Sequence, residues 1–210
     1  MKVIIADDHA IVRKGLVGIL KNSFPSLKID EVTNGMDVIQ KVHANPEWDL
    51  ILMDISMPGM NGIETVKQLK SEGCKIPILI LSMQPEEQYA VRVLKAGAAG
   101  FIKKDSSTDE LIQAIQKVLS GRKYISAAVA EKLAEAMTDH GGNVILHEQL
   151  SDREMQVLQL IASGKTVSEI AEMIFLSVNT ISTYRSRILE KLSLNSNAEL
   201  TRYAIENGLA

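Results

Sequence analysis

The chain has 210 residues, of which 46% are hydrophobic and 23% are charged, and its formal net charge at pH 7 is −3. This composition is ordinary for one large or two small globular domains, and no stretch approaches the roughly eighteen consecutive apolar residues of a membrane span. Neither the first 120 residues nor the last 60 carry an excess of basic residues. A nucleic-acid partner is therefore not indicated by charge and has to be argued from motifs.

Cysteine and histidine are scarce. Cys74 is the one cysteine, which excludes an intramolecular disulfide and favours a reducing, cytoplasmic location. The apolar run at the N-terminus meets two acids after only a few residues, too early for a secretory signal. The histidines show no HxxxH-type spacing, so we do not expect a zinc site; they are His9, His43, His140 and His147.

Apolar runs of strand type alternate with helical patterns over the first 120 residues. Runs rich in Val, Ile and Leu predict five β-strands, at residues 2–6, 27–32, 50–53, 77–81 and 99–102. Each strand is followed by apolar residues at helical spacing. The first helix is expected to bury Ile11 and Leu16, and the fifth, capped by Ser107 or Thr108, is expected to bury Leu119.

Continuous apolar strands separated by helices indicate a parallel sheet with helices on both faces. Right-handed crossovers restrict the topology to a doubly wound α/β fold, for which we expect the strand order 2-1-3-4-5. The first and third strands are then neighbours. Asp7 and Asp8 follow the first strand and Asp54 ends the third, so the three acids should converge at the carboxyl edge of the sheet, where ligands bind in such folds.

Three carboxylates at one point repel one another and raise one another's pKa values. A hard divalent cation removes that conflict, and carboxylate oxygens together with water are the ligands that Mg2+ accepts. Ser82 and Lys104 follow the fourth and fifth strands at the same edge. Lys104 can pair with an anion there, and Ser82 can donate a hydrogen bond to it. The edge is therefore predicted to hold Mg2+ and an anionic group.

This constellation resembles the receiver domain of two-component response regulators. The matching motifs are Asp7-Asp8, the segment from Asp54 to Gly62, Ser82, and the segment from Gly97 to Lys104. The resemblance implies that Asp54 accepts phosphate from the phosphohistidine of a sensor kinase. It further implies that Asp7, Asp8, Asp54 and the backbone carbonyl of Ser56 hold Mg2+, that Lys104 and Ser82 contact the phosphoryl oxygens, and that Phe101 swings inward when Ser82 moves.

Two alternatives bear on this site. Phosphatases of the haloacid dehalogenase type also use an aspartate at a strand end, but with a second Asp two residues later as the acid/base. Ser56 occupies that position here and cannot transfer a proton at neutral pH, so a turnover enzyme is not expected beyond self-phosphorylation and slow autodephosphorylation. Lys103 competes with Lys104 as the phosphate partner; Lys104 is preferred because it lies at the spacing from Phe101 that is found in the family.

Residues 121–147 are predicted to connect the receiver, residues 1–120, to a second domain, residues 148–210. The Ala-rich segment 126–138 predicts a helix, and residues 140–143 predict a flexible linker. From Ser151, which forms a capping box with Glu154, four amphipathic helices are expected in an all-α domain. Two of them are joined by a tight turn, which indicates a helix-turn-helix unit.

The last 60 residues resemble the LuxR-type, or NarL-class, DNA-binding domain. The resemblance depends on Leu150–Glu154, Glu169-Ile170-Ala171, Leu176-Ser177, Asn179-Thr180-Ile181 and Gly208-Leu209. It implies that the polar face of the helix from Ser177 enters the major groove. The predicted DNA contacts are Lys165, Thr166, Asn179, Thr180, Ser182, Thr183, Tyr184, Ser186, Arg187 and Lys191.

Two residues of this helix depart from simple expectations. Ser182 stands where many relatives carry Lys, which lowers the expected attraction to phosphate. Arg185 falls within the inward stripe that also contains Val178, so its guanidinium either meets an internal carboxylate such as Glu154 or contacts a DNA phosphate.

A domain with so few basic residues is expected to bind DNA as a homodimer on two half-sites of the double strand. The family resemblance places the dimer contact near Ala198, Leu200 and Tyr203, although Leu200 and Tyr203 could equally belong to the domain core. The sequence thus predicts a DNA-binding transcriptional regulator that phosphorylation of Asp54 activates by releasing its C-terminal helices to dimerise. The alternative is a phosphorylation-switched protein-binding module without DNA binding.

Overall fold

A computed structural model describes residues 1–84, 86–126, 129–131 and 146–209. The chain divides into two compact units, Met1–Asp139 and His140–Ala210. Most of the predicted linker helix at 126–138 and all of the predicted flexible segment at 140–143 lie outside the described residues. Within the described part of the chain, no helix combines the length and the apolar character needed to cross a membrane.

The N-terminal unit contains the predicted five-stranded parallel sheet. Its strands are β1 (Lys2–Ala6), β2 (Lys28–Val32), β3 (Leu50–Asp54), β4 (Ile78–Ser82) and β5 (Gly100–Lys103). They pair in the order β2-β1-β3-β4-β5, which confirms the doubly wound α/β prediction. Every residue of β3 and β4 is buried, whereas in the edge strand β2 only Val32 is buried, because helices cover both faces only over the central strands.

Five helices alternate with the strands: α1 (Ala10–Ser23), α2 (Gly35–Ala44), α3 (Gly62–Ser71), α4 (Glu86–Ala96) and α5 (Thr108–Leu119). The side chain of Ser107 accepts a hydrogen bond from the Glu110 amide and is the N-cap of α5. Two of the expected inward residues are corrected by the structure, since Ile11 is 87% exposed and Leu119 is 37% exposed. Both lie in a terminal turn of their helix, where the buried stripe ends.

The described residues of the C-terminal unit form helices and the turns between them. A short 3-10 turn (Leu146–Gln149) precedes α6 (Asp152–Ala162), α7 (Val167–Met173), α8 (Val178–Leu192) and α9 (Asn197–Glu206), and α6 contacts both α8 and α9. The predicted capping box at the start of α6 is present, because Ser151 and Glu154 exchange hydrogen bonds with each other's backbone. In α8, Ile181, Ile188 and Leu192 are buried, but Val178, in the first turn, is 48% exposed.

Candidate functional site

The acids that follow β1 and β3 lie together at the carboxyl edge of the sheet. Ala6 pairs with Met53 in the parallel register of these two strands, so Asp7 continues alongside Asp54. Both carboxylates are buried, with residue exposures of 2% for Asp7 and 3% for Asp54, while Asp8 is exposed. Adjacent strands that end at the same level thus bring the three predicted acids to one place.

Lys104 neutralises this edge incompletely. Its Nζ lies 2.7 Å from Asp7 Oδ2 and 2.8 Å from Asp54 Oδ2. The backbone places it there, since the Lys104 amide donates to the Ser82 carbonyl at 3.0 Å. Lys103 is exposed, so the structure brings Lys104, and not its neighbour, to the acids. One ammonium therefore serves two buried carboxylates.

Because Asp54 shares one ammonium with Asp7, the charged form of the Asp54 carboxyl is unfavourable. Burial is the main cause that raises the pKa of Asp54, and repulsion from Asp7 adds to it; attraction to Lys104 and a hydrogen bond from the Ser56 amide oppose the rise without cancelling it. Burial alone would lower the pKa of Lys104, but the two acids reverse the direction and raise it. The edge retains an excess of negative charge that a further cation would relieve.

The geometry of the cluster is compatible with a divalent metal. Ligand atoms of Asp7, Asp8, His9 and Asp54 all lie within 4.8 Å of one another. His9 Nδ1 is 2.8 Å from Asp8 Oδ1 and 3.3 Å from Asp7 Oδ1. Carboxylate oxygens at this separation form the donor set that hard cations prefer.

The loop after β3 requires glycine to bring helix α3 against the acid-bearing strand. A Cβ on Gly62 would lie 2.2 Å from the carbonyl oxygen of Asp54, and the Gly62 amide donates to the Ile55 carbonyl at 2.9 Å. Asn61 and Glu64 then form a capping box at the start of α3. The Asp54–Gly62 segment is therefore a tight turn that closes against the backbone of Asp54 and Ile55.

Ser82 and Phe101 are both inside the unit. Ser82 is fully buried, and its Oγ accepts a hydrogen bond from the Gln84 amide at 3.0 Å. Phe101 lies beside Ile80 in the register of β4 and β5 and is only 1% exposed. The predicted inward swing of Phe101 when Ser82 moves stays a prediction. In the structure the ring already lies in the interior, because an apolar ring without a hydroxyl gains free energy there.

The polar face of α8 is exposed, as predicted, but it carries little charge. Asn179, Ser182, Thr183, Ser186 and Arg187 are all exposed. Two of the hydroxyls are used within the helix, since Thr183 Oγ1 donates to the Asn179 carbonyl and Ser186 Oγ donates to the Ser182 carbonyl, both at 3.0 Å. The helix side chains that remain available for base edges are chiefly the Asn179 amide and the Arg187 guanidinium.

The remaining predicted DNA contacts lie near the ends of the two helices or at the edge of α8. Thr166 caps α7 and forms a capping box with Glu169, and the preceding Lys165 is exposed. The Thr180 hydroxyl is hydrogen-bonded to the Ser177 hydroxyl at 2.8 Å. Tyr184 is half-buried, so its hydroxyl end can reach a phosphate while its ring covers the domain.

Lys191, and not Arg185, contacts the buried Glu154 carboxylate. Lys191 Nζ lies 2.6 Å from Glu154 Oε2 and 3.3 Å from the Gln149 carbonyl, so its ammonium is bound within the unit. A DNA contact from Lys191 stays a prediction. The Arg185 guanidinium donates instead to the Asn197 side chain, and its suggested pairing with Glu154 is wrong because Lys191 occupies that carboxylate.

The three predicted dimer residues differ in exposure. Leu200 is fully buried within the C-terminal unit and cannot offer its side chain to a second chain, so its assignment to a dimer contact is corrected to the domain core. The Tyr203 hydroxyl is 3.1 Å from His147 Nδ1 in an edge-to-face ring contact. Ala198 is exposed.

Comparison with known proteins decides the family. Residues 3–116 match the model of the response regulator receiver domain, which covers more than half of the chain. The chain is a response regulator. Residues 148–204 match the model of bacterial regulatory proteins of the luxR family, so this response regulator carries a LuxR-type DNA-binding domain and belongs to the two-component transcription regulators.

Relatives of this response regulator match over its full length. The response regulator UvrY of Escherichia coli O6:H1 is 34% identical over 209 residues, covering 100% of this chain and 95% of UvrY. The oxygen regulatory protein NreC of Staphylococcus carnosus is 35% identical over 215 residues, covering 100% of this chain and 99% of NreC. Among solved structures, RcsB of Salmonella enterica serovar Typhimurium, bound to promoter rprA in the presence of phosphomimetic BeF3-, is 26% identical with a TM-score of 0.65, and 97% of each chain is covered.

Sequence reasoning did not single out two residues of the receiver site. Arg13 Nη1 donates to the Asp7 carbonyl at 2.7 Å and its Nε donates to Glu31 Oε2 at 3.2 Å, which braces the turn that carries the acids. His9 lies among the acids although the histidines show no ligand spacing of their own. Its direct succession to Asp7-Asp8 was the available signal.

Proposed function

We propose that Asp54 of this response regulator accepts a phosphoryl group from the phosphohistidine of a sensor histidine kinase, with Mg2+ as the cofactor. The observation that carries the proposal is the buried Asp54 carboxylate, whose pKa is raised and which shares a single ammonium with Asp7. Asp7, Asp8 and Asp54 would hold the ion together with the backbone carbonyl of Ser56. Bound Mg2+ neutralises the charge that develops on the transferred phosphoryl group.

The chain's own residues then position and hold the phosphoryl group. Lys104, which already contacts Asp54, pairs with a phosphoryl oxygen and remains tied to Asp7. The Ser82 hydroxyl accepts a hydrogen bond from the Gln84 amide and keeps its own proton available to donate to another phosphoryl oxygen. Phosphoaspartate adds close to two negative charges, so Ser82 and the loop after β4 reorganise around it. With Ser56 in place of a second acid, the chain catalyses only its own phosphorylation and slow dephosphorylation.

The output of this switch is DNA binding by two copies of the C-terminal unit, which phosphorylation releases to dimerise. Asn179 and Arg187 are suited to bidentate contacts with adenine and guanine, and Lys165, Thr166 and Tyr184 are suited to phosphate contacts. Because one such face carries little positive charge, two half-sites are required for tight binding. The RcsB complex with a promoter and phosphomimetic BeF3- supports this coupling, and the presence of only one cysteine, Cys74, agrees with action in the cytoplasm.

The first test is modification with acetyl phosphate and Mg2+. We expect the wild type to gain one phosphoryl group by intact-protein mass spectrometry and Asp54→Asn to gain none. Asp109→Asn, which removes an exposed acid of α5, is the matched control and should be modified like the wild type. Equal modification of all three proteins would show that Asp54 is not the acceptor.

The second test concerns DNA. Fluorescence anisotropy with duplexes that contain one or two half-sites, selected from genomic fragments by footprinting, should show salt-dependent binding. Binding should tighten on the two-site duplex after phosphorylation, and Arg187→Ala should weaken it more than Ser186→Ala. Failure of the phosphorylated protein to bind any duplex in a salt-dependent manner would favour a protein-binding output instead.

A further inference from the structure

His9 begins helix α1 without capping it. N-cap positions favour residues whose side chain accepts a hydrogen bond from the first turn, and His9 makes no such bond although it occupies the N-cap, with φ −84 and ψ 104. Its backbone amide instead donates to Asp7 Oδ1 at 2.8 Å. The position of the imidazole is therefore not explained by the start of the helix.

The ring faces the acids. Nδ1 lies 2.8 Å from Asp8 Oδ1 and 3.3 Å from Asp7 Oδ1, and it belongs to the same set of ligand atoms within 4.8 Å that includes Asp54. The His9 side chain is 64% exposed, so the imidazole can adjust its orientation, whereas Asp7 and Asp54 are buried. The exposed imidazole nitrogen of His9 and the buried carboxylate oxygens of Asp7 and Asp54 thus belong to one group of possible metal ligands.

We propose that His9 is a metal ligand of this cluster and that the receiver site therefore also binds a first-row transition ion, such as Ni2+ or Zn2+, through three carboxylates and one imidazole. This proposal rests on the proposed cation site of Asp7, Asp8 and Asp54. Carboxylates and water suit Mg2+, whereas an imidazole suits nickel, copper and zinc. A site that contains both donor types gains affinity for the transition ions with little gain for Mg2+.

His43 provides an internal comparison. Its Nε2 lies 2.7 Å from Glu72 Oε2, so both histidines contact a carboxylate on the same unit, and both side chains are more than half exposed. Among the residues that the structure describes, Glu72 is the one acid paired with His43, whereas His9 contacts both Asp7 and Asp8. If proximity of a histidine to a carboxylate were sufficient for metal binding, the two positions would behave alike.

Titration of the full-length protein with Ni2+ alone tests the proposal, with affinity measured by calorimetry and competition by added Mg2+. The variants are His9→Asn, which retains a residue competent to cap α1, and His43→Asn as the matched control. Since even an outer-shell partner is worth about tenfold in metal affinity, we expect His9→Asn to weaken Ni2+ binding by about tenfold or more. His43→Asn should bind Ni2+ like the wild type, and both variants should retain wild-type affinity for Mg2+.

NMR spectra of the histidine rings in the wild-type protein provide a readout that does not depend on the folding of a variant. In the wild type, substoichiometric Ni2+ should broaden the His9 ring signals before those of His43 and His147, and excess Mg2+ should restore them. Equal broadening of all the rings would overturn the proposal, as would Ni2+ affinity that is unchanged in His9→Asn or Mg2+ affinity that falls to the same extent.

Failure of this inference is distinguishable from failure of the proposed function. If the affinity for Ni2+ does not depend on His9 while Asp54 is still phosphorylated in the presence of Mg2+, only the role of His9 is rejected. If neither ion binds in an Asp54-dependent manner and Asp54 is not phosphorylated, the proposed receiver chemistry is rejected with it.

Discussion

The two units of this response regulator each contain a buried acid paired with a lysine, and the two pairs differ in how fully the charge is satisfied. At the receiver edge, one ammonium serves both Asp7 and Asp54. In the C-terminal unit, the Glu154 carboxylate lies 2.6 Å from Lys191 Nζ and also accepts a hydrogen bond from the Ser151 amide at 2.7 Å.

The directions of the pKa shifts follow this difference. The pKa of Asp54 is raised, chiefly by burial and by repulsion from Asp7. Burial would also raise the pKa of Glu154, but the hydrogen bonds from Lys191 and Ser151 outweigh it, and the net pKa is lowered. A buried acid with too few cationic and hydrogen-bond partners can bind a cation or accept a chemical group, whereas an acid with enough such partners stabilises the fold.

The largest expected effect comes from removing the lysine of the receiver. Lys104→Met leaves two buried carboxylates without a cation, and we expect the unfolding free energy of the N-terminal unit to fall by about 2 kcal/mol. Mg2+ should restore part of the loss, because a ligand that binds the folded state adds stability according to its concentration. Urea unfolding monitored by the fluorescence of Trp48, the one tryptophan in the chain, measures this with and without Mg2+.

Lys191→Met is the matched variant in the other unit. It leaves Glu154 with its capping-box partner only, so hydrogen exchange should show local destabilisation of α6 by about 1 kcal/mol, with no recovery in Mg2+. An equal response of both variants to Mg2+ would remove the distinction between the two pairs.

Neutralising the acids should change stability in opposite directions. Without divalent cations, Asp54→Asn relieves burial and repulsion of a charge while Lys104 keeps Asp7, so the N-terminal unit should become more stable by about 1 kcal/mol. Glu154→Gln loses a charged hydrogen bond to Lys191 and should destabilise the C-terminal unit by about 1 kcal/mol. Trp48 fluorescence follows unfolding of the N-terminal unit, and hydrogen exchange of α6 follows unfolding of the C-terminal unit. A loss of stability in Asp54→Asn would contradict the assignment of unsatisfied charge to the receiver edge.

The pH dependence of the C-terminal unit is a smaller effect. The pKa of Glu154 in the folded state lies below its ordinary value of 4.5, so folding favours the ionised form. The resulting stability is present above pH 4.5 and is lost as the pH falls through the folded-state pKa. Hydrogen exchange of α6 between neutral and acid pH should show this loss in the wild type, and the profile of Glu154→Gln should be flatter in the same window.

The smallest expected effect concerns the weakly charged DNA face. Ser182→Lys places a cation on the exposed face of α8, where it can neutralise one phosphate, so the slope of log affinity against log salt should become steeper by about 0.9 per bound unit. Ser182→Ala is the uncharged control and should leave the slope unchanged. If both variants have the wild-type slope, residue 182 does not face the DNA backbone.

Much of this architecture could be predicted from short-range sequence patterns. Apolar runs and helical spacing located the five strands, and the Ser151 capping box marked the start of α6, because these features depend on residues within a few positions of one another. The convergence of Asp7 with Asp54 also followed, since parallel strands end at a common edge. The family resemblance favoured Lys104 over Lys103 as the lysine of the site, and the structure places Lys104 at the acids.

Tertiary packing decided what these patterns leave open. Helical periodicity placed Ile11 and Leu119 incorrectly in the core, because it identifies the apolar stripe of a helix but not the position along the helix at which neighbouring elements stop covering that stripe. Lys191, and not Arg185, reached Glu154 across 37 residues of chain, which depends on how α6 and α8 cross. Asp7 and Asp8, which the His9 imidazole contacts, are its neighbours in the chain, whereas Asp54 joins the same group only because the fold places the ends of two strands side by side.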